Sequence, residues 1–363
     1  MKKNLLLLTV MLFAFANSYC QATFSTGAMN VDVSEYGRIQ LYTPDGIQQL
    51  ERASILVGTS ATDVFDYTND AEQLDPSVLV ASPLLSDYEI YGSIDNSYSA
   101  LPPAVSVKIN AYGWNDAAYA IFKFNVKNDE ASAITASIGM DIIPYLNEEY
   151  GFDSVTYNNA EGVIRFHRGT QENMGAKLLS SSLSSLYSFE WYDGYTVDAD
   201  YWNWMNMGSL QPEYVSTTVD GPVSITSQAP ATIAPGESFD VYYALALGVN
   251  EQTMQSNIAA AVQKYQILTT SIDEKQLSVN EFKNFPNPFK SSTTIGYQLP
   301  GNGFVSLKIY DALGNEKATL VNSNQTSGSH TIDFNAKDLT SGVYSYRLRY
   351  NDQVISNRML MIK

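Results

Sequence analysis

Cysteine is nearly absent: 363 residues contain a single one, Cys20. Such a chain can close no internal disulfide and offers no thiolate cluster for zinc, so its stability must come from a packed core. Histidine is almost as scarce, with His167 and His330 alone. A Ser-His-Asp triad would have to use His167, and no G-x-S-x-G elbow leads into a helix. H-E-x-x-H, Walker and Rossmann glycine patterns are missing too. Basic residues number 21 against 38 acidic ones, for a net charge of −17. A surface of that sign repels phosphates, which disfavours nucleic acid as a partner. After the first twenty residues no apolar run approaches membrane-spanning length, so no transmembrane segment is expected in the mature protein.

What is present begins with Lys2 and Lys3, an apolar stretch from Leu5 to Ala16 and a short polar stretch from Asn17 to Gln21. This is the layout of a secretory signal peptide, expected to span residues 1–20. Cys20 could be a lipidation site, but the bulky Tyr19 before it disfavours that processing, and cleavage before Gln21 leaves a mature chain without cysteine. Charge then divides the remainder. Residues 21–281 carry 10 basic and 33 acidic side chains, whereas residues 282–363 carry 9 and 5. The expected organisation is therefore an acidic cargo domain over 21–269, a linker over 270–283 and a small basic domain over 284–363.

Period-two alternation dominates the cargo. Val105, Val107 and Ile109 share a face, as do Phe122, Phe124 and Val126, and Ile134, Ala136, Ile138 and Met140. The run FDVYYALAL does the same with Phe239, Val241, Tyr243, Leu245 and Leu247. Such patterns predict half-buried strands. One helix is expected, over Glu251 to Ile267, with Met254, Ile258, Val262 and Tyr265 on one face and Asn250 as N-cap. Many strands, one late helix and no βαβ alternation give an all-β protein. The length of the cargo suits a large two-sheet, supersandwich-like β-sandwich better than a single immunoglobulin-like unit.

The final eighty residues alternate at Ile295, Tyr297 and Leu299, at Val305, Leu307 and Ile309, and at Tyr344, Tyr346 and Leu348. They predict a small immunoglobulin-like sandwich of about seven strands, led by an extended segment bracketed by Pro286 and Pro288. In order, the segment shows Asn284, Pro286, Asn287, Pro288 and Phe289; then Ile309, Tyr310, Asp311 and Gly314; then Gly342, Val343, Tyr344 and Tyr346; and the basic Arg347, Arg349, Arg358 and Lys363. This layout resembles the type A C-terminal sorting domain of the type IX (Por) secretion system. The resemblance implies a protein of a Bacteroidetes-type bacterium, carried through the periplasm and across the outer membrane. It implies the secretion machinery and a sortase-like peptidase as partners, and release or attachment to surface lipopolysaccharide. The cargo also resembles an uncharacterised surface domain found ahead of such tags, through Val33 to Ile39, Ile55 to Ser60, K-F-N-V-K-N and A-P-G-E-S.

Within the cargo, three constellations bear on chemistry. Asp141, Asn147, Glu148, Glu149, Asp153 and Asn158 crowd the stretch after one strand. They have the oxygen chemistry calcium takes but lack EF-hand spacing, and a solvated loop is the simpler reading. Trp191, Tyr192, Tyr195, Tyr201, Trp202 and Trp204 lie among Glu190, Asp193, Asp198 and Asp200, which could make an aromatic platform for a glycan. On a strand Trp202 and Trp204 would point the same way and could equally be core. The abundant carboxylates admit a glycosidase pair without locating one, so no catalytic residue is assigned. The expectation is a non-enzymatic surface module, with a carbohydrate-active enzyme or a structural matrix component as alternatives. No cofactor is expected, with calcium the one the loop chemistry admits, and the ligand class is polysaccharide or surface lipopolysaccharide.

Overall fold

The structure is a computed structural model that describes residues 21–363 except Ser82, Leu84, 170–171, 192–196, 272–281, 300–302, 312–314, Ser327, Asp338 and 351–352. The expected signal peptide, most of the expected linker, Tyr192, Tyr195 and Gly314 therefore lie outside the described residues. The chain divides into two compact units, before and after the Tyr265–Gln266 step.

In the first unit the chain alternates between two nine-stranded sheets. Strands β1 (Ala22–Ser25), β2 (Asn30–Val33), β3 (Ile39–Tyr42), β4 (Gln48–Ser60) and β5 (Asp63–Phe65) open the first sheet. The second is opened by β6 (Glu72–Leu79), β7 (Tyr88–Asp95), β8 (Val105–Gly113) and β9 (Tyr119–Asn128). Next come β10 (Ile134–Pro144) in the first, β11 (Ser154–Asn158), β12 (Val163–His167) and β13 (Asn173–Leu178) in the second, and β14 (Leu183–Phe189) in the first. Helix α1 (Asp198–Met205) follows, then β15 (Glu213–Val215), β16 (Val223–Gln228), β17 (Ala231–Ile233), β18 (Ser238–Gly248) and helix α2 (Glu251–Ser271). The first sheet runs β1-β2-β3-β4-β10-β16-β14, with β5 on β4 and β17 on β10; the second runs β15-β11-β12-β13-β18-β9-β8-β7-β6.

Alternation places the core where the sequence put it. Val105, Val107, Ile109, Phe122, Phe124, Val126, Ala136, Ile138 and Met140 are all buried in one cluster with Val241, Tyr243, Leu245 and Leu247. The same cluster takes Val31, Ile39, Leu41, Ile55 and Val57 from the first sheet, so the two sheets face each other across it. This is the two-sheet sandwich that the pattern predicts. A polar bridge crosses the interior: the Tyr243 hydroxyl lies 3.0 Å from Thr226 Oγ1. At that point β10 and β16 approach so closely that a Cβ on Gly139 would fall 1.7 Å from the Thr226 carbonyl oxygen.

Among the described residues two α-helices cover outer sheet faces, where the sequence predicts one. Helix α2 matches the expectation and runs on to Ser271. Asn250 caps it, its Oδ1 accepting from the Thr253 amide at 2.9 Å. Met254, Ile258 and Ala261 are buried, while Val262 and Tyr265 are half-buried. Met254 sits flush on β13, since a Cβ on Gly175 would meet its sulfur at 2.2 Å. Helix α1 stands where the sequence leaves the spacing of Trp202 and Trp204 ambiguous between a strand face and a platform. Residues two apart on a helix stand about 200° apart around the axis, so the two rings cannot share one face. The aromatic content suits a strand, but packing decides: Tyr201 and Met205 are buried over Leu56, Val64, Phe189, Val223 and Ile225 on the outer face of the first sheet.

In the second unit, seven strands form two antiparallel sheets. They are β19 (Lys283–Phe285), β20 (Ser292–Leu299), β21 (Gly303–Tyr310), β22 (Glu316–Gln325), β23 (Gly328–Asn335), β24 (Gly342–Tyr350) and β25 (Gln353–Met361). One sheet is β19-β20-β23 and the other β22-β21-β24-β25. Ile295, Tyr297, Leu299, Val305, Leu307, Ile309, Tyr344, Tyr346 and Leu348 form its core, as their alternation requires.

Candidate functional site

In the acidic unit, polar and aromatic groups gather where β10 runs into residues 145–153. The first tie is between backbones and amides. The Tyr145 amide donates to the Gln49 carbonyl at 3.1 Å, and the Gln49 side chain pairs with Asn147 through both its amide atoms. Asn147, Glu148 and Phe152 then take positive φ values of 55°, 62° and 56°. Non-glycine residues rarely adopt that conformation, and three within six residues persist only when their surroundings hold them. Here the surroundings are visible. The Gly151 amide donates to the Gly221 carbonyl at 2.9 Å and the Phe152 amide to the Thr218 carbonyl at 3.0 Å. Arg168 donates to Asp153 Oδ1 at 2.7 Å, to Glu149 Oε2 at 2.5 Å and to the carbonyls of Glu149 and Gly151. Glu190 fixes the facing loop, accepting from the Thr217 amide at 3.0 Å, Thr218 Oγ1 at 2.9 Å and Ser216 Oγ at 3.0 Å.

On this support stands an aromatic corner. The Tyr145 and Tyr150 rings are 4.3 Å apart, and Tyr150 meets Trp191 edge-on at 6.1 Å and 77°. Trp191 is 37% exposed, Tyr150 39% and Phe152 56%. Burial, reinforced by the Glu51 carboxylate and by Tyr145, pushes the Tyr150 phenol up to about 12, so it stays a neutral hydrogen-bonding group at ordinary pH. Glu51 also receives the Arg38 guanidinium and, at 3.0 Å, the Gln48 side-chain amide. Asp153 is wholly shielded; burial pushes its carboxyl up to about 6 despite Arg168. Burial would raise Glu190 as well, but its four donors, Thr217, Thr218, Ser216 and Tyr214, together hold it below the ordinary range.

The tryptophans of α1 fall elsewhere. Trp204 stacks on Phe189 at 4.1 Å, and Trp202 lies over Gly58, whose Cβ would stand 3.2 Å from its ring. Both serve packing of α1. Asp141 is buried on the outer face of β10 and paired with Arg52 at 2.6 Å; burial raises its pKa against that guanidinium. Asn147 is held by Gln49, and Glu149 and Asp153 share Arg168. Among the described residues no group of three or more His, Cys, Asp or Glu could hold a metal ion. The arginines already supply the countercharge that calcium would bring. Nothing local in the sequence marks Tyr145 and Tyr150 beside Trp191; that contact forms only when Trp191 arrives from a distant part of the chain.

The second unit uses its motif residues as pins. Asn284 Nδ2 donates to Thr293 Oγ1 at 3.0 Å and to the Pro286 carbonyl at 3.2 Å. Asn287 grips β25 from both amide atoms: Oδ1 accepts from the Leu360 amide at 2.8 Å and Nδ2 donates to the Arg358 carbonyl at 3.2 Å. The Phe289 amide donates to the Leu360 carbonyl at 3.0 Å, and the Ile362 amide to the Phe289 carbonyl at 2.9 Å. The leading segment thus lies parallel beside β25, with the Phe289 ring buried. Tyr346 is buried against Phe282 at 4.7 Å, and burial pushes its hydroxyl up to about 12 while the Asn284 backbone hydrogen-bonds it. The Tyr344 hydroxyl donates to the Thr340 carbonyl at 2.9 Å. Asp311 closes the hairpin on Asn315 and Lys317, and Arg347 lies 5.0 Å over the Tyr310 ring. Gly342 opens β24, and Val343 points outward, half exposed.

Comparisons bear mainly on this second unit. Residues 283–363 match the family model of the secretion system C-terminal sorting domain. No curated protein matches the chain. Among solved structures, a bacterial glucoamylase complexed with acarbose is 10% identical at a TM-score of 0.49, covering 69% of this chain and 36% of its own. A putative aldose 1-epimerase from Escherichia coli K12 is 10% identical at 0.38, covering 63% of this chain and 98% of its own. Heparan sulfate lyase HepC from Pedobacter heparinus is 9% identical at 0.36, covering 93% and 40%. This chain spans about a third of the glucoamylase's length, and likenesses so remote carry no argument about activity. The unit that pins its own last strand with Asn287 and Phe289 is a type IX secretion C-terminal sorting domain, and the protein that bears it is exported to the cell surface or secreted.

Proposed function

We propose that the acidic unit is a non-enzymatic surface module that binds glycans through the corner formed by Tyr145, Tyr150 and Trp191. The observation that carries this reading is the exposure of Trp191 and Tyr150 on a rim held rigid by Arg168 and Glu190. Apolar ring faces stack on the C–H faces of sugars, and neighbouring amides and phenols bond their hydroxyls. A rigid rim lowers the ordering cost of binding. A glycosidase needs two carboxyl groups able to reach one bond. Asp153 is shielded, Glu190 is saturated with donors and Glu51 is committed to Arg38 and Gln48, which favours binding over hydrolysis. In this reading the sorting domain hands the module to the secretion machinery. A sortase-like peptidase then leaves it free or joined to surface lipopolysaccharide. Incubating the purified mature chain with polysaccharides, and assaying both retention and released reducing sugar, tests the proposal. Retention without release is expected; release of sugar would show an enzyme.

A further inference from the structure

We infer, resting on the glycan reading, that the ligand is a neutral glycan gripped one sugar ring at a time, not an anionic polymer or a flat crystalline chain. Charge carries the first half. Around the corner stand Arg38 and Arg168, and both are consumed internally, by Glu51 in one case and by Glu149 and Asp153 in the other. Glu148 and Glu190 add two further carboxylates on the same segments, and Glu148 is exposed. Five carboxylates therefore stand beside two arginines that already donate to carboxylates and to backbone carbonyls. Uronate or sulfate groups entering here would meet net negative charge and would have to break an existing ion pair to find a cation. Hydroxyl groups face no such barrier, since carboxylates and the neutral Tyr150 phenol accept and donate to them.

Ring geometry carries the second half. A flat crystalline surface is matched by coplanar aromatic rings spaced along it. Here Tyr150 and Trp191 meet at 77° and Tyr145 and Tyr150 at 45°. Only one of these faces can lie against a given sugar ring while the other walls its edge. The corner fits a chain end or a bent, soluble chain.

The test uses the full mature protein with three probes: soluble neutral glucan and mannan, polygalacturonate or heparin, and crystalline cellulose. Binding to a soluble neutral polymer, insensitive to salt, with neither of the other two retained, is expected. Trp191→Ala and Tyr150→Ala should each weaken that binding by about tenfold or more, and Trp191→Phe should restore most of the loss. Equal loss with Trp191→Phe and Trp191→Ala would overturn the stacking role. Tighter binding of polygalacturonate or heparin, fading as salt rises, would overturn the charge argument and leave the glycan reading standing. Retention on cellulose equal to that on soluble polymer would overturn the one-ring geometry. No binding to any probe would remove the glycan reading and this inference with it.

Discussion

The two units obey one folding rule and use their polar residues in opposite ways. Both are antiparallel sandwiches whose alternating apolar residues pack into a core between two sheets. In the sorting domain the conspicuous polar residues are structural: Asn284 and Asn287 hydrogen-bond backbone, and Asn287 holds the last strand in place. In the acidic unit the conspicuous polar and aromatic residues of the sequence went mostly into packing and ion pairs, as Trp202, Trp204 and Asp141 show. Of the aromatic residues that stand out in the sequence, Trp191 stays exposed, beside the less conspicuous Tyr150. The contrast teaches that a small domain of few residues must fasten its edges with specific side chains, whereas a large sandwich can rely on buried area.

Phe289→Ala should break the sorting domain most severely, at about 3–5 kcal/mol, because it empties a core position beside β25. Thermal melting of the isolated transition and the exported fraction would both fall. In the acidic unit Gly139→Ala should cost about 3 kcal/mol, since its new methyl would collide with backbone rather than with a yielding side chain. A wild-type melting curve would show that β10 and β16 are not so close. Asn287→Ala should cost about 1–2 kcal/mol, through two lost bonds to the β25 backbone. If it proves neutral, the pinning account of the motif fails. Trp204→Ala should destabilise the acidic unit by about 2 kcal/mol, whereas Trp191→Ala should stay within about 0.5 kcal/mol and act on binding alone. Denaturant midpoints separate the two.

A further effect expected is one of pH. Burial pushes both Asp66 and Asp153 up to about 6, Asp66 although it accepts from Thr68 and Asn69. Their folded pKa values exceed the unfolded ones, so the native state binds more protons between about pH 4 and 6. The acidic unit should accordingly gain stability as pH falls from above 6 towards 4. Asp66→Asn should flatten part of that slope, and melting temperatures across the range would reveal it. A unit that loses stability steadily over the same window would contradict both shifts.

Much of this was readable in the chain. The faces of β8, β9, β10 and β18, the capped α2 and the seven-stranded sorting domain follow from local periodicity, which a residue carries wherever it is placed. The sorting motif was legible because its residues lie close in sequence and in fixed order. Helix α1 was not, since Tyr201, Trp202 and Trp204 favour a strand until an apolar sheet face is offered to them. The aromatic corner was not, because Tyr150 and Trp191 come together only through the ties of Arg168 and Glu190 to loops 15 or more residues away.

By itself, then, the sequence determined the sheets, their inward faces and the export domain, because period-two burial and a contiguous motif are local properties. Only the tertiary structure decided which acids became ion pairs, which tryptophans became packing and which tyrosine met Trp191. Those outcomes depend on contacts between distant segments, and no local pattern encodes them.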